Sequence, residues 1–284
     1  MVVHHPDKAT EAAAASGAAV APPSLRDPLH RRVRQRVVPP LLAVVTVAVL
    51  WVLLSRIADL VPGPLLTLNE AYRLLTEGEF FVHMWDSLRR VLVGFGVAML
   101  LSLLVGIVMG TSTAAERYFA PLVVLGLTVP GLIWALISVM IFGLSELTAY
   151  FAVTVTIFPM LVITIWGAVK SMDRDLIDMS TVLRLKPWTK VQAVILPQLV
   201  PSIFSATRYG LGLAWKIVVV VELFGASSGI GYQINRAYQL FSLELVLAWT
   251  ALFVVVMLAI EHLIVNPLER RLTAWRPEVN VWRR

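Results

Sequence analysis

Three ionisable residues lie on one hydrophobic segment of the chain, and this is the pattern in the sequence most able to do chemistry. Arg208, Lys216 and Glu222 fall on or beside residues 199–224, which are otherwise mainly apolar. An ionised lysine near the centre of a membrane helix raises the insertion free energy by roughly 2.5–3.5 kcal/mol, so it usually faces a bundle interior or a wet cavity. Lys216 could therefore favour an anionic solute in a pathway. It could equally form a structural ion pair or extend its amine to the interface.

Other residues are candidates for the same pathway or for its outer entrance. Glu222 is near the outer end of its segment, and a spacing of six residues places it on the opposite helix face from Lys216. Arg89 and Arg90 could form an electropositive entrance, or they could contact lipid phosphate instead. The candidates on residues 119–142 are Trp134, Ser138 and Met140.

The sequence lacks most of the residues that enzymes of the membrane need. It contains no Cys, which excludes thiol catalysis and Cys-ligated metal centres. It has no G-x-x-x-x-G-K-[ST] loop, so it is not itself an ATPase. A metalloprotease would need H-E-x-x-H, of which only Glu261–His262 is present, and a serine protease would need G-x-S-x-G with a histidine in another span. We therefore predict a non-catalytic membrane protein with no metal site.

These residues must be positioned by membrane helices. Of the 284 residues, 58% are hydrophobic and 15% are charged, and the apolar runs are continuous rather than alternating. We predict an all-α membrane protein with about six transmembrane helices, near residues 37–57, 91–110, 119–142, 148–168, 199–224 and 243–265. The net charge of +6 could indicate nucleic-acid binding, but a cytoplasmic bias of basic residues accounts for it.

The positions of the basic residues predict the orientation. With the N-terminus inside, 17 of the 24 Lys and Arg residues are cytoplasmic, 5 are outside, and Arg208 and Lys216 lie within a span. This asymmetry predicts that both termini are cytoplasmic in a multi-pass protein of the cytoplasmic (inner) membrane. The predicted regions are a disordered basic tail (1–36), a permease domain (37–266) and a C-terminal tail (267–284).

Two local patterns predict packing and surface structure. Gly94, Ala98, Gly106 and Gly110 are spaced so that a neighbouring helix could approach closely, although glycine is also common in membrane helices for other reasons. Residues 60–86 lie outside in the predicted topology. They contain either an amphipathic surface helix, with Leu68, Ala71, Leu74 and Leu75 on one face, or a simple connector.

The longest polar interruption, residues 170–197, is predicted to form a cytoplasmic helix–turn–helix. Leu176, Met179, Ser180 and Leu183 fall on one face of its first helix. Pro187 suits the first position of the second helix, where a missing N–H costs nothing, and Pro197 is predicted to start the next span. The mixed apolar and charged surface is typical of an element that docks in a groove of a soluble partner.

This segment resembles the cytoplasmic coupling loop of ABC-importer permeases. That family carries an acidic residue, two alanines, a glycine after three further positions, and a closing Leu-Pro. Here Asp178, Ser180, Leu196 and Pro197 match the pattern, whereas Met179 replaces the first alanine and Arg184 replaces the glycine. If the family turn needs a left-handed residue, arginine there would cost about 1 kcal/mol.

The resemblance extends over about residues 40–277 and is closest to the nitrate/sulfonate/taurine branch. It is carried by SLRRVLVGF (87–95), the stretch from 121 through FGLSELTAYF (142–151), MDRDLID (172–178), RYGLGLAWKIVVVVELFGASSGIGY (208–232) and LERRLTAWRP (268–277). The family implies a type I ABC-importer permease core. The coupling residues that it implies here are Asp178, Ser180, Leu183, Arg184, Leu185, Pro187, Leu196 and Pro197.

The same resemblance implies the partners. A permease of this branch pairs with a second copy, usually of itself, and binds an ATPase dimer that holds ATP and Mg²⁺. It receives a small, generally anionic solute from an extracytoplasmic binding protein. An ion-coupled secondary transporter is the alternative, but it would need internal repeats and broken helices with midplane charges, and no repeat is evident.

Overall fold

The computed structural model describes residues 29–58 and 61–272, and every regular element in those ranges is helical. The predicted tails are therefore covered only in part, since residues 1–28 and 273–284 lie outside the described chain. Helix α1 (Leu29–Ile57) begins inside the stretch predicted as a tail and belongs to a first compact unit that ends at Ile57. All the helices that follow belong to a second unit.

In the second unit the helices run in the order α2 (Pro64–Thr76), α3 (Glu79–Thr111), α4 (Thr113–Thr128), α5 (Gly131–Phe142), α6 (Glu146–Lys170), α7 (Arg174–Val182), α8 (Pro187–Lys190), α9 (Leu196–Gly225), α10 (Ile230–Gln239), α11 (Leu243–Ile260) and α12 (Asn266–Leu272). Two π-turns, Val191–Ile195 and Glu261–Val265, join α8 to α9 and α11 to α12.

Four helical stretches in the described ranges are long and apolar enough to cross a membrane: Glu79–Thr111, Glu146–Lys170, Trp188–Gly225 and Leu243–Glu269. A fifth is formed if the bent pair α4 and α5 counts as one span, and Leu41–Ile57 in α1 is a shorter apolar helix. The described part of the chain is thus all-helical and contains several apolar helices.

The segment predicted as one span over residues 119–142 is not a single continuous helix. The chain breaks between α4 and α5, and the two helix axes differ in direction by 93°. Pro130 has no N–H to continue the helix, and Val129, which precedes it, takes an extended conformation (φ −81°, ψ 119°).

Close packing of α3 against α6 confirms the prediction from the glycine spacing. A Cβ atom added at Gly94 would lie 2.8 Å from Val153 Cβ, and one at Gly106 would lie 2.8 Å from Ile165 Cβ. Two side chains also cross this interface, because Thr154 Oγ1 donates to the Gly94 carbonyl (3.1 Å) and Ser102 Oγ donates to the Phe158 carbonyl (3.1 Å). Glycine here lets the two backbones approach.

The segment before α3 is helical, which decides between the surface helix and the simple connector that the sequence left open, but the face predicted for the helix was partly wrong. Helix α2 buries Thr67, Ala71 and Leu74, whereas Leu68 is 62% exposed. The next helix starts at Glu79, twelve residues before the predicted span, so the segment around Arg89 and Arg90 is part of a long continuous helix.

Helix α9 passes through the centre of the second unit, against α3, α5, α6 and α10. Ala214, Trp215 and Val218 are buried on its inner side. Pro197 lies in the first turn of α9, as predicted for the start of the next span, although α8 runs through the π-turn into α9 without a break. The π-turn is closed by a hydrogen bond from the Leu196 N–H to the Val191 carbonyl, five residues earlier. The turn thus ends directly before Pro197, which has no N–H to donate.

Candidate functional site

The predicted coupling loop forms a helix, a tight turn and a short second helix. Asp173 caps α7 by accepting from the Asp175 N–H (2.9 Å), and Pro187 begins α8 as the sequence predicted. The loop lies beside the C-terminal end of α3, since Gly110 and Arg174 line the same cavity of about 630 Å³.

The turn after α7 contains Arg184 in the left-handed conformation, with φ 49°. The Leu185 N–H donates to the Ser180 carbonyl (3.1 Å), and the Arg184 N–H donates to the Thr181 carbonyl (3.0 Å). These two bonds define a Schellman turn, in which glycine is the usual left-handed residue. The sequence left open whether the turn differs or tolerates the strain, and in the structure it tolerates it.

One side of this loop is an exposed apolar surface. Ser180 is buried and donates to the Ile177 carbonyl (2.5 Å), which anchors the helix, whereas Asp178 is exposed. Leu196 is 46% exposed where the loop joins α9. We call the following exposed residues the coupling surface: Leu176, Met179, Val182, Leu183 and Trp188. Large exposed apolar side chains on a polar segment between two apolar helices indicate a binding surface.

A second arrangement, which the sequence did not predict, is an ion cluster formed by Ser87, Arg90, Glu146, Glu222 and Ser228. We call it the buried ion cluster, because Ser87, Arg90 and Glu222 are buried, whereas Glu146 and Ser228 at its edge are partly exposed. All five N–H groups of Arg90 are used. Its Nε and Nη2 donate to Glu146 (3.1 and 2.8 Å), its Nη1 donates to Glu222 Oε1 (2.7 Å) and to the Ser228 carbonyl (2.6 Å), and its Nη2 also donates to Ser228 Oγ (2.9 Å). Arginine has five such donors, so this side chain is saturated.

Glu222 is the other centre of the cluster, and its side chain is fully buried. Besides the bond from Arg90, it accepts from the Gly231 N–H (2.9 Å), and Ser87 Oγ lies 2.8 Å from its Oε2. Two glycines make room for it: a side chain at Gly229 (φ 108°) would collide with the carboxylate, and one at Gly231 would approach Glu222 Cβ to 2.7 Å. A buried carboxylate is stable only when it is paired and hydrogen-bonded in this way.

These contacts change the interpretation of three predicted residues. Arg90, at 4% exposure, and Glu222, at 1%, bind each other, so in this structure neither faces an open entrance or pathway. Arg89 is exposed and lies 3.0 Å from Glu146. The missed residues are Ser87, Glu146 and Ser228. The signal for the cluster was the presence of charges on three apolar helices, although the sequence does not show which of them pair.

An open groove of about 520 Å³ runs along the exposed side of α9. Arg208 lies within it and bridges Glu261 (2.8 Å) and Glu269 (3.3 Å). Lys216, two turns further along, is exposed, and no hydrogen bond or ion pair joins its amine to the described part of the chain. We call this surface the α9 groove. It contains the predicted pathway lysine.

The three candidates on α5 do not share a face. Ser138 is buried and donates to the Trp134 carbonyl (2.6 Å) of its own helix. Trp134 is partly buried, and Met140 is 86% exposed. The structure therefore places Trp134 and Ser138 one turn apart on the same face of α5 but Met140 away from them, and a pathway role for the three stays a prediction.

No enzyme site is evident in the part of the chain that the structure describes. Residues 225–229 read GASSG and do fit the G-x-S-x-G pattern. The nearby His83, however, accepts from the Gly229 N–H at Nδ1 (3.1 Å) and contacts Gln233 at Nε2 (2.6 Å), rather than a serine. Within the described ranges, no group of His, Asp and Glu residues could hold a metal ion.

Comparison with known proteins identifies the family. Residues 98–274 match the family described as binding-protein-dependent transport system inner membrane component. The chain is 30% identical to the taurine transport system permease protein TauC of Escherichia coli over 197 residues, which cover 69% of this chain and 71% of that one. It is 29% identical to the nitrate import permease protein NrtB of Synechocystis over 236 residues, which cover 79% and 86%.

A solved structure, the inward-facing MetNI methionine ABC transporter, shows the same fold. It has a TM-score of 0.59 and 19% identity, and the match covers 66% of this chain and 94% of that chain. The family match, the relatives, the exposed coupling surface and the apolar helices agree with one another. The chain belongs to the family of binding-protein-dependent transport system inner membrane components, and is an ABC-importer permease of the nitrate/sulfonate/taurine type.

Proposed function

We propose that this permease carries a small anion and is driven by an ATPase dimer that docks on the coupling surface. The observation that carries the proposal is the exposure of large apolar side chains on α7 and α8, with Val182 at 81% and Trp188 at 69%. Such side chains are stabilised when a partner removes them from water. ATP and Mg²⁺ would be bound by that partner.

The α9 groove supports the assignment of an anionic solute. Lys216 lies on an apolar helix, is exposed and has no partner within the described residues, so a charged lipid-facing position would be unfavourable. A second copy of the chain, placed against this side, would enclose the groove as an aqueous path and leave Lys216 facing the solute. The relatives named for taurine and nitrate fit this choice, because both solutes carry an anionic group.

We further propose six membrane spans with both termini in the cytoplasm. Six result when the apolar part of α1 and the bent pair α4–α5 are each counted with the four long helices. The distribution of Lys and Arg favours this orientation, because basic residues are enriched on the cytoplasmic side. The same orientation puts the coupling loop on the side of the ATPase. An extracytoplasmic binding protein would deliver the solute at the opposite side.

The docking proposal is tested by affinity purification in mild detergent with mass spectrometry of the proteins that accompany the chain. The wild type should bring down an ATPase with a Gly-rich phosphate-binding loop in a stoichiometric amount. Leu183→Asp should reduce its recovery, because it places a charge in the apolar contact. Leu240→Asp is the matched control, since Leu240 is equally exposed but lies in the turn after α10. Equal recovery with both variants would contradict the proposal.

A further inference from the structure

The turn that follows α7 has Arg184 in a left-handed backbone conformation that glycine would adopt without strain. Arg184 has φ 49°, and a non-glycine residue in this conformation costs about 1 kcal/mol. Glycine could make the same two hydrogen bonds to Ser180 and Thr181 without that strain. The only other non-glycine residue with a positive φ in the described ranges is Phe241. Backbone strain of this kind clusters at functional sites, which makes the Arg184 side chain a candidate for a function.

The Arg184 side chain has no use inside the described part of the chain. It is exposed, and no hydrogen bond or ion pair joins its guanidinium to any residue in residues 29–58 or 61–272. Lys190, by comparison, donates to Thr181 Oγ1 (3.1 Å). The guanidinium therefore adds nothing to the stability of the turn that would offset the strain.

The charge of the loop is divided along its length. Asp173, Asp175 and Asp178 are exposed in or before the first half of α7, where Arg174 is the one exposed cation, whereas Arg184 and Lys186 are exposed after its C-terminal end with no acidic residue beside them in the turn. The positive end is next to the most exposed apolar residues of the coupling surface. A partner that covers this surface would also remove the guanidinium from water, which is stable only if the partner offers an acceptor.

We propose that Arg184 binds a carboxylate in the groove of the ATPase that receives the coupling loop, and that it thereby selects an ATPase with an acidic residue at that place. Arginine suits this role because its planar guanidinium can bond both oxygens of one carboxylate. Charge pairs across an interface contribute strongly to the choice of partner. This inference rests on the proposed docking function and adds the chemistry of the partner.

Three substitutions separate the charge from the strain. Arg184→Gly and Arg184→Asn remove the charge at a position where both residues accept a left-handed backbone. Arg184→Lys keeps both the charge and the strain. The dissociation constant is measured between the purified chain in detergent and the ATPase that co-purifies with the wild type. The Gly and Asn variants should each raise the dissociation constant by about tenfold or more, because the carboxylate of the ATPase is left unpaired in the interface. The dissociation constant of the Lys variant should be closer to that of the wild type than either of these.

Two controls isolate the effect. Arg117→Gln removes an exposed charge on α4 beside Glu116, which lines the same cavity as Arg174 of the coupling loop, and Phe241→Gly relaxes the other left-handed residue. Neither should change the affinity. A double-mutant cycle then neutralises the carboxylates of the ATPase groove one at a time, and one of them should abolish the further loss caused by Arg184→Gly.

The outcomes distinguish this inference from the proposed function. If the wild-type chain binds no ATPase, the docking function fails. If the wild type binds and the Gly and Asn variants bind as tightly or more tightly, docking stands but recognition through Arg184 is wrong. The inference would also be overturned if the Gly and Asn variants lose affinity but no carboxylate of the ATPase groove shows coupling to Arg184 in the double-mutant cycle.

Discussion

At the scale of single residues, two adjacent arginines have different environments. Arg90 is 4% exposed and fully hydrogen-bonded in the buried ion cluster, whereas the Arg89 side chain is 45% exposed beside Glu146. Removing one partner of a buried pair leaves the other charge uncompensated, which costs far more than the loss of an exposed pair. The neighbouring positions thus offer a matched comparison.

We expect Arg90→Ala to lower the stability of the protein by about 3–5 kcal/mol, because the Glu222 carboxylate would stay buried without its cation. Arg89→Ala should cost about 1 kcal/mol or less. Thermal unfolding of the purified protein in one detergent measures both. Equal shifts of the midpoint for the two variants would show that the cluster does not hold the helices together.

Lys216 is the residue on which the proposed anion selectivity depends. Hydrogen bonds to charged groups contribute about 1.5–3 kcal/mol, so Lys216→Met should lower uptake of an anionic solute by about tenfold or more. Lys216→Arg should restore much of it. Size-exclusion chromatography should show that both variants keep the complex intact. Normal uptake by the Met variant would make Lys216 a structural residue.

At the scale of the helices, the sequence predicted the packing that depends on local spacing. The glycines of α3 could be recognised because their separation matches a helix face. The coupling loop could be recognised because its polar composition between two apolar segments, the spacing of its apolar residues and Pro187 are local signals. These are properties of neighbouring residues, so a sequence alone contains them.

Contacts between distant residues were not predictable in the same way. Arg90 and Glu222 are 132 residues apart, and several acidic residues could have paired with either arginine. A proline inside an apolar segment indicates a bend, but it is compatible with a slight kink as well as with the 93° break between α4 and α5, so the size of the bend was not predictable. The extension of α8 into α9 depends on a π-turn, which has no clear sequence pattern.

The α3–α6 interface gives a test at this scale. Gly106→Ala should destabilise the protein by about 1–3 kcal/mol, because the methyl group would overlap Ile165 and force the helices apart. Gly96→Ala on the same helix is the control, since nothing lies within 4 Å of the added atom. Thermal unfolding should separate them. If the two variants unfold alike, close approach at Gly106 is not required.

At the scale of the whole second unit, one long helical stretch connects the two features of interest. Trp188–Gly225 begins in the coupling loop and carries Glu222 of the buried ion cluster in its last turn, and the exposed α9 groove lies between the two. In the proposed mechanism, movement of the ATPase displaces α7 and α8, and the continuous stretch transmits that displacement to the groove. The cluster keeps the far ends of α3, α6 and α9 together.

The source of energy is the most direct test of this account. Uptake of taurine or nitrate is measured in proteoliposomes that contain the permease and its co-purified ATPase, with the binding protein outside. We predict that uptake requires ATP inside and persists when the ion gradients are dissipated. Replacing the lysine in the phosphate-binding loop of the ATPase should abolish it. Uptake of either solute that continues without ATP and stops when the gradients are removed would contradict the central claim.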